Sequence, residues 1–161
     1  MKLIQYGFFL AAIIFTHTAL AAVQDAPAIN LPTATGQVDL ATLKGKVVYL
    51  DFWASWCKPC KESFPWMHQM KETYKDQGLE VLAINLDKDR NLADEFLKGM
   101  DVNFVIAFDE AGDTATEYQL RGMPSSYLIG RDGKLYASHI GFREKDKAAM
   151  EQAIQELLSK Q

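Results

Sequence analysis

Two cysteines are the whole supply in this 161-residue chain, and they stand as Cys57 and Cys60 in Trp56-Cys57-Lys58-Pro59-Cys60. So short a ring encloses almost no chain, which excludes a disulfide-stapled scaffold and leaves the pair as a reagent. The histidines are equally sparse. His17, His68 and His139 are scattered, so a zinc site lacks a second ligand pair. Haem attachment would need His after the second cysteine, where Lys61 stands. No basic cluster or stripe interrupts a net charge of −4, which excludes nucleic acid as a partner. A membrane span needs about 20 apolar residues, and the N-terminal apolar stretch is broken by Gln5, Thr16, His17 and Thr18. No composition break, linker or internal repeat divides the chain, so a single domain is expected.

That N-terminal stretch has the form of an export signal. Lys2 supplies the positive charge, Phe8 to Phe15 the apolar core, and Ala19-Leu20-Ala21 a small-residue cleavage pattern. Residues 1–21 are therefore read as a signal peptide and 22–161 as the mature domain, with a retained membrane anchor as the alternative reading. An exported, periplasmic location changes the meaning of the cysteines. In an oxidising compartment an exposed pair drifts to the disulfide unless a partner supplies electrons.

What surrounds the pair is a strand and a helix. Lys46 to Trp53 is a β-branched and aromatic run that reads as a buried strand. Cys60 to Gln77 reads as a helix stopped by Gly78, with Phe64, Met67, Met70, Lys71 and Tyr74 near helical spacing. Cys57 then lies at the helix N-terminus, where free N–H groups and the helix dipole favour its thiolate, and Lys58 adds a modest, screened attraction. Cys60 falls one turn inside, where burial keeps it protonated until a base acts.

The remaining pattern alternates strands with helices. A hairpin is expected around Thr33 to Gly36, then strands at Leu79 to Leu86 and Phe104 to Phe108, with Asn91 capping a helix between them. A short helix follows at Asp113 to Tyr118. Ser126 to Ile129 and Lys134 to Ile140 read as a second hairpin across Arg131-Asp132-Gly133, and Lys145 to Ser159 as a closing helix with Met150, Ile154, Leu157 and Leu158 on its apolar face. This order predicts an α/β fold, a mixed sheet covered on both faces.

These residues resemble the thioredoxin superfamily, and within it the exported TlpA-like and ResA-like thiol-disulfide oxidoreductases; the C-x-x-C beside a βαβ pattern is a recognised mark of that fold. The resemblance rests on Leu43 to Val48 entering Phe52 to Cys60, on Pro65, on the extra helix and strand between Leu79 and Phe108, and on Gly122-Met123-Pro124-Ser125. It implies a thioredoxin-like fold with an N-terminal hairpin and a central αβ insertion. It also implies a cis bond before Pro124, with the Met123 backbone beside Cys57 ready to pair with an extended partner. Trp56 is expected to cover the sulfurs, and Lys58 and Pro59 to tune them.

Asp51 stands where thioredoxin carries its buried acid, which makes it the candidate base for Cys60. Ser63 occupies a position where the branch often has Glu. Glu62 is displaced by one residue, about 100° around a helix, and so faces elsewhere. The implied activity is protein disulfide exchange, with no cofactor beyond the Cys57/Cys60 disulfide and a preference for reduction. The implied partners are a transmembrane disulfide reductase of DsbD/CcdA type as donor, and substrates such as apocytochrome c or a copper-site protein, as in cytochrome c biogenesis. Two alternatives use the same thiols: a copper or apoprotein chaperone, and a thiol oxidase or peroxidase. Against the peroxidase, the expected Pro and Thr ahead of the first cysteine are missing.

Overall fold

The computed structural model describes residues 23–160, so the expected leader lies outside the described residues. Strand β3 (Val47–Trp53) is buried along its whole length, because its residues alternate between two apolar layers. Val47, Tyr49 and Trp53 face one layer, and Val48, Leu50 and Phe52 the other. Such a strand belongs at the centre of a sheet. β4 (Leu79–Asn85) and β5 (Val105–Phe108) run parallel on one side of it. β6 (Ser125–Ile129) pairs antiparallel on the other and turns back into β7 (Leu135–Ile140), giving the order β5-β4-β3-β6-β7. The Asp132-Gly133 turn works as expected, with Gly133 at φ 80°, where a side chain would be strained.

Helices cover both faces, as the sequence predicts. On the first, α1 (Lys58–Tyr74), α2 (Arg90–Leu97) and α4 (Lys147–Leu158) pack over Trp53, Cys60, Phe64 and Met67. On the second lie α3 (Asp113–Glu117) and the hairpin of β1 (Asn30–Pro32) and β2 (Gln37–Asp39), around Ile29, Phe52 and Tyr118. α2 and β5 are the expected insertion. β5 takes the edge beside β4, and Thr33 bridges to its Ala107.

Three boundaries differ from expectation for local reasons. α1 begins at Lys58 rather than Cys60, because Cys57 is itself the N-cap and Pro59 is tolerated in the first turn, where no N–H is needed. α2 is capped by Asp89, not Asn91: the Asp89 carboxylate accepts from the Asn91 N–H at 3.0 Å, so the helix starts earlier than the apolar pattern indicates. α4 starts at Lys147, after a 3-10 turn over Glu144–Asp146.

An aromatic stack fixes the face that carries the cysteines. The Trp53 ring lies 5.0 Å from Phe64 and 4.8 Å from Phe96, joining β3, α1 and α2. Trp66 is core, edge-on to Tyr49 at 5.4 Å and against Phe142 at 5.8 Å. Met67, fully buried between these groups, has no room to be replaced by a smaller side chain without leaving a void. Met67→Ala should lower unfolding stability by about 2–5 kcal/mol, measured by urea titration of the oxidised protein; a loss within about 0.5 kcal/mol, the range of an ordinary surface change, would contradict the packing described.

Candidate functional site

At the carboxyl end of β3 the chain makes a tight turn, Ala54 to Cys57, closed by the Cys57 N–H donating to the Ala54 carbonyl at 3.0 Å. Cys57 ends that turn and caps α1, its Sγ accepting from the Cys60 N–H at 3.3 Å. The two cysteines are joined as a disulfide with Cα atoms 5.3 Å apart. Their surroundings differ: Cys60 is wholly buried, whereas Cys57 keeps 4% of its surface. Of the two, only Cys57 keeps any exposed surface. The Cys60 N–H directed at Cys57 Sγ and the positive end of the α1 dipole favour negative charge on that atom.

The other expected site residues gather at this end of the sheet. Lys58 is exposed and Pro59 half-buried. The Met123–Pro124 peptide is cis. The register pairing Phe52 with Ser125 puts the Met123-Pro124 loop across from the end of β3, and Met123 packs against the cluster that holds both cysteines. Trp56 is 68% exposed. Most of the indole surface, at the residue before Cys57, is thus open to solvent. Ser63 is buried with its hydroxyl donating to the Cys60 carbonyl at 2.9 Å, while Glu62 is exposed, one step around the helix.

Asp51 is 1% exposed and sits in β3 between Tyr49 and Trp53, on the face shared with Cys60. Its Oδ2 has no hydrogen-bond partner. Burial without compensation pushes its carboxyl well above the ordinary value of 3.8. The Tyr49 phenol is likewise raised by burial, then by the Asp51 charge, with a Ser126 hydrogen bond acting against it. The Asp51 carboxylate thus binds a proton more tightly than an ordinary one, as a group that is to take a proton from a buried thiol must.

The sequence reading overlooked a second buried acid. Asp87, 2% exposed just beyond β4, accepts from the Ser55 N–H at 2.8 Å, the Ser55 hydroxyl at 2.8 Å and the Asn85 side-chain amide at 2.7 Å. Ser55 is the second residue of the turn that delivers Cys57. The available signal was an acid directly after a buried parallel strand, at the sheet end where sites collect. Among the described residues no group of three or more His, Cys, Asp or Glu side chains is arranged to hold a metal ion.

The burial of Asp51 has a consequence for stability. In the unfolded chain this carboxyl ionises near the ordinary 3.8, whereas in the fold it holds its proton to higher pH. The native state therefore binds more protons in that interval. Its contribution is complete below the unfolded value and is lost as pH rises through the folded one. Asp51→Asn does not titrate, so its stability relative to the parent should climb above about pH 4, by no more than about 1.4 kcal/mol per pH unit. Urea unfolding of both oxidised proteins across this range checks it; a gap that is constant with pH would remove the uncompensated acid.

The AhpC/TSA family pattern matches residues 22–138. Thiol-disulfide oxidoreductase ResA of Bacillus cereus is 35% identical over 111 residues, 69% of this chain and 64% of that protein. ResA of Bacillus subtilis (strain 168) is 36% identical over 112 residues, 69% of this chain and 63% of that one. The matched region is thus a little under two thirds of these relatives' length. Among solved structures, a Chlorobium tepidum protein provisionally described as thiol:disulfide interchange protein DsbE superposes with a TM-score of 0.84. It is 49% identical, with 85% of this chain and 97% of that chain covered. Fold, sequence pattern and relatives agree, and the chain belongs to the AhpC/TSA family of the thioredoxin superfamily.

Proposed function

We propose that this protein is a thiol-disulfide oxidoreductase that reduces disulfides in partner proteins through Cys57 and Cys60. The observation that carries the reading is the asymmetry of the pair: one sulfur partly open at a helix N-terminus, the other sealed behind it. The names of the relatives supply its chemical class.

The cycle needs no cofactor beyond the disulfide itself. In the reduced protein the Cys57 thiolate attacks one sulfur of a partner's disulfide, a bond forms between them, and the partner's other sulfur leaves as a thiolate that takes a proton from water. Cys60 then loses its proton to the Asp51 carboxylate and attacks Cys57 Sγ. The mixed disulfide breaks, the partner's second sulfur departs, and Cys57–Cys60 closes. Two electrons have passed to the partner. Met123 and Pro124 offer backbone to an extended partner segment beside the sulfurs, Trp56 gives it an exposed apolar surface, and Lys58 and Pro59 set the local charge and the start of the helix.

Recharging requires a donor of electrons. A membrane-embedded disulfide reductase of DsbD/CcdA type fits an exported protein, and apocytochrome c or a copper-site protein fits as the substrate. The Lys58-Pro59 dipeptide supports the reducing direction, because it places no imidazolium beside Cys57 to stabilise the thiolate and make the couple oxidising.

Cys60→Ala should accumulate mixed disulfides with its partners, detectable on non-reducing gels, while Cys57→Ala captures none. Asp51→Asn should leave the first attack intact and slow the release step by about 10²-fold near neutral pH. Release from a model mixed disulfide, followed by stopped flow against pH, tests this; an unchanged profile would remove Asp51 from the mechanism. The reduction potential should lie nearer about −270 mV than about −120 mV, and a value at the oxidising end would reverse the direction.

A further inference from the structure

Asp87 is a buried carboxylate that the exchange cycle does not use. It is 2% exposed, its oxygens accept three hydrogen bonds from Ser55 and Asn85, and its own N–H donates to Asn85 Oδ1 at 3.1 Å. Among the described residues no cation pairs with it, and the charged groups around it are turned elsewhere. Lys88 donates to the carbonyls of Glu110 and Ala111, and Asp89 caps α2. Arg90 lies over the Phe108 ring, and Asp109 accepts from N–H groups at the start of α3. On the side of the cysteines, Lys58 and Glu62 are exposed, and Asp51 lies lower in β3 with its proton favoured.

What Asp87 holds is the turn that carries the reactive sulfur. Both polar hydrogens of Ser55, backbone and hydroxyl, are committed to this one carboxylate, and Ser55 lies inside the turn closed between Ala54 and Cys57. Two residues of chain reach at most about 7 Å, so the Asp87 charge stands within roughly a Debye length of Cys57, across the part-buried turn from it.

We propose that Asp87 is a positioning residue for the exchange: it locks the Ala54–Cys57 turn from the end of β4 and sets a carboxylate behind Cys57. That charge opposes the helix terminus, makes the thiolate costlier, and holds the couple more reducing than the cap alone would. The inference rests on the proposed exchange at Cys57, deepening it by naming what sets its direction.

The test uses the reduced protein and small reagents, so it does not depend on any partner. Asp87→Asn keeps the shape and removes the charge; Ser55→Ala removes one hydrogen bond and leaves the charge. The pH profile of Cys57 alkylation by iodoacetamide should shift to lower pH in Asp87→Asn. Below the parent's midpoint, the rate should rise about three- to tenfold. Ser55→Ala should keep the parent's profile. In equilibrium with glutathione above that midpoint, where the Cys57 thiolate and Cys60 thiol give two electrons and one proton to one glutathione disulfide and water supplies the second proton, Asp87→Asn should favour its reduced form by the same factor.

Coincident profiles for folded Asp87→Asn and the parent would overturn the proposal. So would an equal shift in Ser55→Ala, which would trace the effect to a lost hydrogen bond. Should Asp87→Asn fail to fold, the carboxyl carbon of Asp87 in the reduced parent, followed by NMR against pH, must move at the Cys57 midpoint; a flat trace there overturns the coupling. If the alkylation profile shifts but Cys60→Ala captures no partner disulfide, the electrostatic assignment stands and the exchange function fails.

Discussion

The structure hangs on β3 being buried on both faces from Val47 to Trp53. A strand with two apolar faces must sit in the middle of a sheet, and here parallel and antiparallel neighbours pair with it from opposite sides. Its carboxyl end is consequently held by neighbours on both sides. The Leu86 N–H donates to the Trp53 carbonyl at 2.9 Å, tying β4 to the last residue of β3. The Cys57 turn begins one residue later. A sulfur mounted there inherits the rigidity of the core while its residue keeps 4% of its surface exposed.

Two buried carboxylates flank this point and illustrate opposite solutions to the same cost. Asp87 is given three donors, so its charge is satisfied in place and anchors a turn. Asp51 has an oxygen with no partner and is pushed toward its neutral form. A satisfied charge is a fixed part of the scaffold; an unsatisfied one is poised to exchange its proton. In the proposed cycle, pairing them at one sheet end would separate the job of holding Cys57 from the job of deprotonating Cys60. Mixing the two in a single acid would make the turn loosen whenever a proton moved.

Much of this was legible from residue order alone. The run Val47 to Trp53 announced a buried strand, Gly78 a left-handed helix stop, Asp132-Gly133 a hairpin, and the cysteine spacing a pair close enough to bond at the start of a helix. What escaped depends on contacts between distant residues. The Asp87 clamp joins positions 32 apart in sequence, and nothing near Asp87 announces Ser55 as its target. The burial of Trp66 required Tyr49 and Phe142 to arrive from β3 and from beyond β7. The 68% exposure of Trp56 likewise has no signal in the residues beside it. Local patterns describe elements, whereas the chemistry of a site depends on which element ends meet.

The helix cap explains how the pair can change oxidation state without disturbing that scaffold. In the disulfide, Cys57 Sγ already accepts from the Cys60 N–H. Reduction breaks the sulfur–sulfur bond, but a Cys57 thiolate is the better acceptor for that N–H, since a charged acceptor strengthens the bond. The loss of a covalent tether is thus partly offset by a stronger cap at the same atom. In the proposed exchange electrons would enter and leave at one sulfur of a frame whose strand and helix are held together by Trp53 and Phe64.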